Sequence, residues 1–213
     1  MSERGRFISL EGGEGAGKST QVKALADALR AQGIDVVVTR EPGGSEGAEK
    51  IREMLLTGDE GRWGPQAEAL LFAAARSDHV ERLIQPALES GRWVICDRYV
   101  DSSRAYQGTP GGLLDSEIMA LHRVGSSGLM PDLTVLIEVS PEEAARRAGR
   151  RDGAAVDRIG GRDAGYHAQV RAAFDLIAAA EAERFVRIDG NGSVDQTHTL
   201  ILAAIEPQLS ASC

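Results

Sequence analysis

The chain predicts an α/β fold, a three-layer sandwich in which a five-stranded parallel sheet is flanked by helices and carries a short arginine-rich lid. Three observations predict it. Five apolar runs of strand length recur along the 213 residues, helical patterns separate them, and several runs are continuously apolar rather than alternating. Continuous apolarity is the mark of strands covered on both faces, as helix-wrapped parallel strands are. At about 150 residues per domain, the length predicts one domain spanning 1–213.

The elements follow in order. "RFISL" (6–10) is the first strand. The next segment places Val22, Leu25, Ala26 and Leu29 on one helical face and stops before Gly33, a residue suited to a helix C-terminus. "IDVVVT" (34–39) is the second strand, followed by helices over 46–57 and 65–90. "RWVICD" (92–97) is the third, and a helix over 115–125 leads to "DLTVLIEV" (132–139), the fourth. A helix over 141–150 runs into "RRAGRRDGAAVDRIGGRD" (146–163), rich in arginine and glycine and poor in apolar residues, the candidate lid. A helix over 163–183, the strand "RFVRID" (184–189) and a helix over 194–208 complete the chain.

Composition narrows the function. A formal charge of −8 opposes a large nucleic-acid footprint, which needs clustered surplus cations. No apolar stretch approaches the ~20 residues that span a bilayer, so no membrane partner is expected. "MSERGRF" lacks the apolar segment of a secretory signal, and a cytoplasmic location is the expectation. Cys96 and Cys213 differ in setting and predict no disulfide framework, and the four histidines lack metal-ligand spacing. Anionic ligands must meet a local basic pocket. Only Lys18, Lys23 and Lys50 are lysines, and one of them closes a glycine-rich motif.

Gly12, Gly17, Lys18 and Ser19 complete G-x-x-x-x-G-K-[ST] where a strand ends and a helix begins. Across Gly12, Gly13, Glu14, Gly15, Ala16, Gly17, Lys18, Ser19 and Thr20, bare backbone can curl its N–H groups toward phosphate oxygens. The helix N-terminus adds its positive dipole end, Lys18 neutralises charge, and Ser19 can hold Mg²⁺. This P-loop NTPase-type signature implies a nucleoside triphosphate. It does not by itself choose between switch, motor and kinase. The only asparagine, Asn191 in "DGNGS", is no guanine-reading N-K-x-D, and Gly13 stands where DNA-partitioning ATPases carry a second lysine.

An acceptor that is itself a phosphate monoester needs cations to align it and offset anion repulsion. Arg40, Arg52, Arg76 and Arg98 are the candidates. Arg40 opens "REPGG" at the carboxyl edge of the second strand, beside Pro42. Asp97 ends the third strand where an acid can orient Mg²⁺, and Arg98, next along, can bridge donor and acceptor phosphates as a catalytic candidate beside Lys18. Phe72 and Arg76, four apart, share one helical face, with a ring to stack on a nucleobase and a planar fork for its carbonyl edge. Glu14 inside the loop would repel phosphate, and makes sense as an acceptor for a substrate hydroxyl.

These pieces together resemble the thymidylate kinase family along nearly the whole chain: "EGGEGAGKST", "TREPGG", "FAAAR", "DRYVDSSRAYQG", "PDLTVLIEV" and "DRI". The resemblance implies transfer of the ATP γ-phosphate to thymidine monophosphate with Mg²⁺, in a homodimer. It also implies that Glu14 touches the sugar 3′-hydroxyl and that Arg40 and Arg98 hold the monophosphate. Phe72 would stack on thymine with Arg76 at its edge, Ser103 and Gln107 near the polar rim, and Tyr106 under the sugar. Gly15 replaces the arginine that one branch carries after the loop acid, so the lid must supply the catalytic cation from Arg146, Arg147, Arg150 and Arg151, with Arg151 favoured, then Arg147. Gly160 and Gly161 stand where an acid often follows "DRI". Competing readings are a kinase for another nucleoside monophosphate or a deoxynucleoside, and a regulatory P-loop module without transfer activity.

Overall fold

The computed structural model describes residues 4–59, 61–149 and 158–210. Its centre is a five-stranded sheet, all parallel, made of β1 (Phe7–Glu11), β2 (Val36–Arg40), β3 (Trp93–Asp97), β4 (Leu133–Glu138) and β5 (Phe185–Asp189) in the order β2-β3-β1-β4-β5. The expected strands are all present, with ends shifted by a residue or two. Parallel neighbours require crossovers, and helices supply them. β1 is buried along its whole length, whereas edge strand β2 leaves Val38 exposed although its run of valines is unbroken, so continuous apolarity alone does not mark a strand covered on both faces.

Apolar residues on the two sheet faces make the layers. On one side Ile8, Leu10 and Ile95 meet Val22, Leu25 and Leu29 of α1 (Lys18–Ala31) and Ile201 and Ile205 of α9 (Val194–Ser210). On the other, Phe7, Val94 and Cys96 meet Val80, Ile84 and Leu88. Val170, Phe174 and Ile177 of α8 (Ala164–Ala180) pack with Leu136 and Tyr106. Among the described residues no helix is long and apolar enough to cross a membrane.

The helix expected over 65–90 is one continuous rod with a defect. α3 (Pro65–His79) passes through a π turn (Val80–Ile84) into α4 (Gln85–Glu89). Pro86 explains the widening, because proline has no N–H for residue 82 and its ring clashes with that carbonyl in a regular helix. The helices α2 (Glu46–Leu56), α6 (Asp115–Ser126) and α7 (Pro141–Gly149) lie where periodicity places them. One helix is new: α5 (Val100–Gln107), followed by a 3-10 turn (Thr109–Gly111). Its polar residues Asp101, Ser103, Arg104 and Gln107 are buried, which inverts the pattern by which helices are read.

Asp101 anchors α5. Its carboxylate receives Arg184 Nη1 and Nη2, both at 2.7 Å, and Arg104 Nη1 at 3.1 Å, and it is fully buried. Breaking a buried pair costs about 3–5 kcal/mol. Asp101 also pushes up the pKa of buried Glu11, so removing its charge relieves some repulsion. Asp101→Asn should therefore lower unfolding stability by roughly 3 kcal/mol, the lower end of that range, with denaturant melts as the check.

Every strand ends at its carboxyl edge in a charged residue: Glu11, Arg40, Asp97, Glu138 and Asp189. Ligands of open α/β sheets bind beyond that edge.

Candidate active site

The glycine-rich loop joins β1 to α1. Gly12 has φ 140°, and a Cβ there would lie 2.3 Å from the Ile137 carbonyl oxygen of β4, so only glycine lets the loop pass. Gly17, φ 88°, caps α1, whose first N–H groups face the loop. Lys18 folds back, its Nζ donating to the carbonyls of Gly12 at 3.1 Å and Gly13 at 2.8 Å. Burial, with Arg98 close by, lowers its pKa to about 8. Ser19 Oγ donates to the Asp97 carboxylate, so loop and β3 converge on a pair of hard oxygen donors. Hydroxyl plus carboxylate suits Mg²⁺, which keeps waters in its remaining positions.

Opposite the loop stand the arginines. Arg98 takes φ 68°, unusual for a side chain with a Cβ. Its Nη1 donates to Gly12 O (3.0 Å) and Ser102 Oγ (3.1 Å), its Nη2 to Glu14 Oε1 (2.5 Å), and its guanidinium lies 5.0 Å from the Tyr106 ring centre. Burial opposes that charge, but Tyr106, Glu14, Asp97 and Glu11 outweigh it. Below it, Glu11 accepts from Tyr99 N (2.7 Å) and Ser102 Oγ (2.6 Å); burial and then Asp101 raise its pKa to about 8. Arg40 pairs with Glu49 at 3.1 Å, and Arg52 Nη1 donates to Pro42 O at 2.6 Å. Arg76 is buried, with Nε on Glu41 Oε2 (2.7 Å) and Nη2 on Ser103 Oγ (2.8 Å). Glu41 also holds His79 Nδ1 at 3.0 Å, and His79 Nε2 is 2.7 Å from Thr39 Oγ1.

One cleft of about 240 Å³ gathers most of these groups. Glu14, Gly17, Lys18, Ser19 and Asp97 line its loop end, and Arg40, Pro42, Arg52 and Arg98 its middle. Phe72, Arg76, Ser103, Tyr106 and Gln107 line its far end. Tyr106 OH lies 3.4 Å from Glu14 Oε1, so acid and ring form one wall.

The remaining candidates lie elsewhere. Gly15, Ala16, Thr20 and Arg147 line a second cleft, of about 400 Å³, and Gly12 and Gly13 a third. Arg147 is held there by Glu143 (2.6 Å) and by the carbonyls of Gly190 (2.7 Å) and Gly192 (3.2 Å). Arg146 pairs with the same Glu143. Arg150 and Arg151 lie outside the described residues. Sequence reasoning missed Glu11, Glu41 and Glu68, the buried carboxylates that hold the arginines and amides in place. Glu41 stood inside "TREPGG", but nothing in its spacing marks an acid as buried.

Fold and cleft together define a P-loop nucleotide kinase, with the glycine-rich loop facing a set of arginines across one cavity. Residues 10–201 match the family model described as thymidylate kinase. The chain belongs to the thymidylate kinase family. Its curated relatives include thymidylate kinases from Rhizorhabdus wittichii, 54% identical over 94% of this chain and 97% of the relative, and from Bradyrhizobium sp., 48% identical over 97% and 92%. A solved thymidylate kinase from Ehrlichia chaffeensis superposes with a TM-score of 0.76 at 30% identity, covering 95% of this chain and 100% of that one.

Proposed function

We propose that the protein transfers the γ-phosphate of ATP to thymidine monophosphate, giving ADP and thymidine diphosphate. The observation that carries this reading is the single cleft running from Lys18 and Ser19 past Arg40 and Arg98 to Phe72, Arg76 and Gln107. A phosphate donor at one end and a pyrimidine monophosphate at the other bring their phosphates together in the middle. The family relatives, all named thymidylate kinases, support the same base.

The reaction needs no protein nucleophile. An acceptor phosphate oxygen forms its bond to the γ-phosphorus while the bond from that phosphorus to the bridging oxygen of ADP breaks, and catalysis is alignment and charge stabilisation. On this reading Lys18 and the loop amides hold the donor, Arg40 and Arg98 the acceptor monophosphate, Phe72 stacks on the base, and Glu14 with Tyr106 meets the sugar. Ser19 and Asp97 would hold Mg²⁺, which offsets charge on the donor phosphates. The second cleft, with Thr20 and Arg147, suits the rest of ATP, and an arginine of the 146–163 lid completes the site. The whole chain then acts as one kinase domain, cytoplasmic and homodimeric, with exposed Leu70 and Val124 as candidate pairing surface.

ADP release measured with Mg²⁺ and ATP against a panel of nucleoside monophosphates tests the proposal. Release should require thymidylate; preference for adenylate, guanylate or uridylate overturns it, and release that ignores every acceptor would mark a switch.

A pH dependence follows from Lys18. Its folded pKa of about 8 lies below the ordinary 10.5, so above pH 8 the free enzyme has largely lost this proton. Triphosphate beside Nζ favours the charged form, so binding should take up protons and ATP affinity should fall as pH rises past about 8. Calorimetry near pH 8.5 in buffers of different ionisation enthalpy reads the uptake. Glu11 titrates in the same window, so the part that disappears in Lys18→Met belongs to Lys18.

A further inference from the structure

We propose that Glu68 sets base choice by fixing which way the Gln107 amide faces, an inference that rests on the thymidylate reading. Glu68 of α3 and Gln107 of α5 are buried, 3% and 2% exposed. Gln107 Nε2 donates to Glu68 Oε1 at 3.1 Å. The other carboxylate oxygen receives Arg158 Nη2 at 2.6 Å and Arg162 Nη2 at 2.7 Å, and Arg158 Nε is itself tied to the Leu55 carbonyl at 3.0 Å.

An amide alone can flip, exchanging donor for acceptor at little cost. A carboxylate forbids the flip, because it can only accept. With its nitrogen committed to Glu68, Gln107 offers its carbonyl oxygen, which no described residue hydrogen-bonds, to the cleft that it lines. Arg76, lining the same cleft, commits Nε to Glu41 and Nη2 to Ser103, and among the described residues Nη1 is the donor group it has left for a ligand. A fixed acceptor beside a fixed donor matches a ring that shows an N–H next to a carbonyl, as thymine and uracil do at N3 and O4. Cytosine shows the reverse, a bare ring nitrogen next to an amine, and would leave both protein groups facing their own kind. Sites built on buried hydrogen-bonding groups reject such analogues strongly. The two arginines contribute by holding the Glu68 carboxylate, and Glu68 is a positioning residue that touches no substrate itself.

The test is Glu68→Gln, whose side chain can donate as well as accept and so permits both amide orientations. The ratio of kcat/KM for thymidylate over deoxycytidylate should fall at least tenfold, mainly through a gain for deoxycytidylate. A purely structural Glu68 would lower both substrates in proportion; an unchanged ratio in folded protein overturns the proposal. Should that variant fail to fold, the unaltered protein decides through N3-methylthymidine monophosphate, which keeps O4 but lacks the N–H. It should compete at least a hundredfold more weakly than thymidylate, and equal competition overturns the proposal. If the unaltered protein does not phosphorylate thymidylate, the functional reading fails first, and the two failures are distinct.

Discussion

Lys18→Ala should reduce turnover by about 10³-fold or more while the protein stays folded. The Lys18 ammonium bonds two loop carbonyls and keeps the loop curled. With nucleotide bound, it is the loop's one cationic side chain, and a donor aimed at developing phosphoryl charge in a dry site acts more strongly in the transition state than on bound ATP. Stability should change little because two effects oppose. Burial depresses the Lys18 pKa from 10.5 to about 8, so holding its charge at neutral pH costs about 3 kcal/mol. Losing two hydrogen bonds to Gly12 and Gly13 carbonyls costs about 1 kcal/mol each. α1 remains packed through Val22, Leu25 and Leu29. Lys18→Met, which keeps the apolar stem, should melt at or above the parent temperature. Steady-state turnover and thermal melts on the same preparations check both halves, and a Lys18→Ala enzyme within tenfold of the parent would sink the loop assignment.

The middle of the sheet was legible because β1, β3 and β4 are buried on both faces, and burial of that kind writes unbroken apolar runs. α1 was legible for the complementary reason, an apolar stripe ended by glycine. α5 was not, since Asp101, Ser103, Arg104 and Gln107 point inward to ion pairs and the cleft rather than to hydrocarbon. The same physics hid Glu11, Glu41 and Glu68. A carboxylate in sequence reads as surface, and only the fold brings an arginine or amide from a distant segment to hold it. Motif spacing pointed to Lys18, Ser19, Arg40, Phe72, Arg76, Asp97 and Arg98, which line the cleft because each motif sits at the end of a strand or on one helical face, whereas Ser103, Tyr106 and Gln107 on α5 came only through the family resemblance. Arg147 illustrates the limit: its four-residue spacing from Glu143 marks a helical ion pair, and that pair with the Gly190 carbonyl holds it in the second cleft.

Arg98→Asn should cost about 10³ to 10⁵ in kcat/KM, the range for an arginine that stabilises a transferring phosphoryl group, yet leave the fold nearly untouched. The reason is that backbone, not side chain, holds this turn. Arg98 N donates to Leu10 O at 3.0 Å, Cys96 Sγ reaches Arg98 O at 2.9 Å, and Tyr99 N donates to Glu11 at 2.7 Å. Those contacts keep residue 98 at φ 68°, a conformation that costs most side chains roughly 1–2 kcal/mol and asparagine less. The lost bonds to Gly12 O, Ser102 and Glu14 are set against that relief and against the desolvation of a buried guanidinium. The expected melting temperature is therefore close to the parent's. Arg98→Lys should not restore activity, since one ammonium cannot reach the loop carbonyl, Glu14 and an acceptor phosphate together as a planar fork does. Kinetics with thymidylate and a denaturant melt of each variant check the split. Near-parental activity in Arg98→Asn removes Arg98 from the acceptor site, and collapse of the fold shows that the side chain was holding the turn.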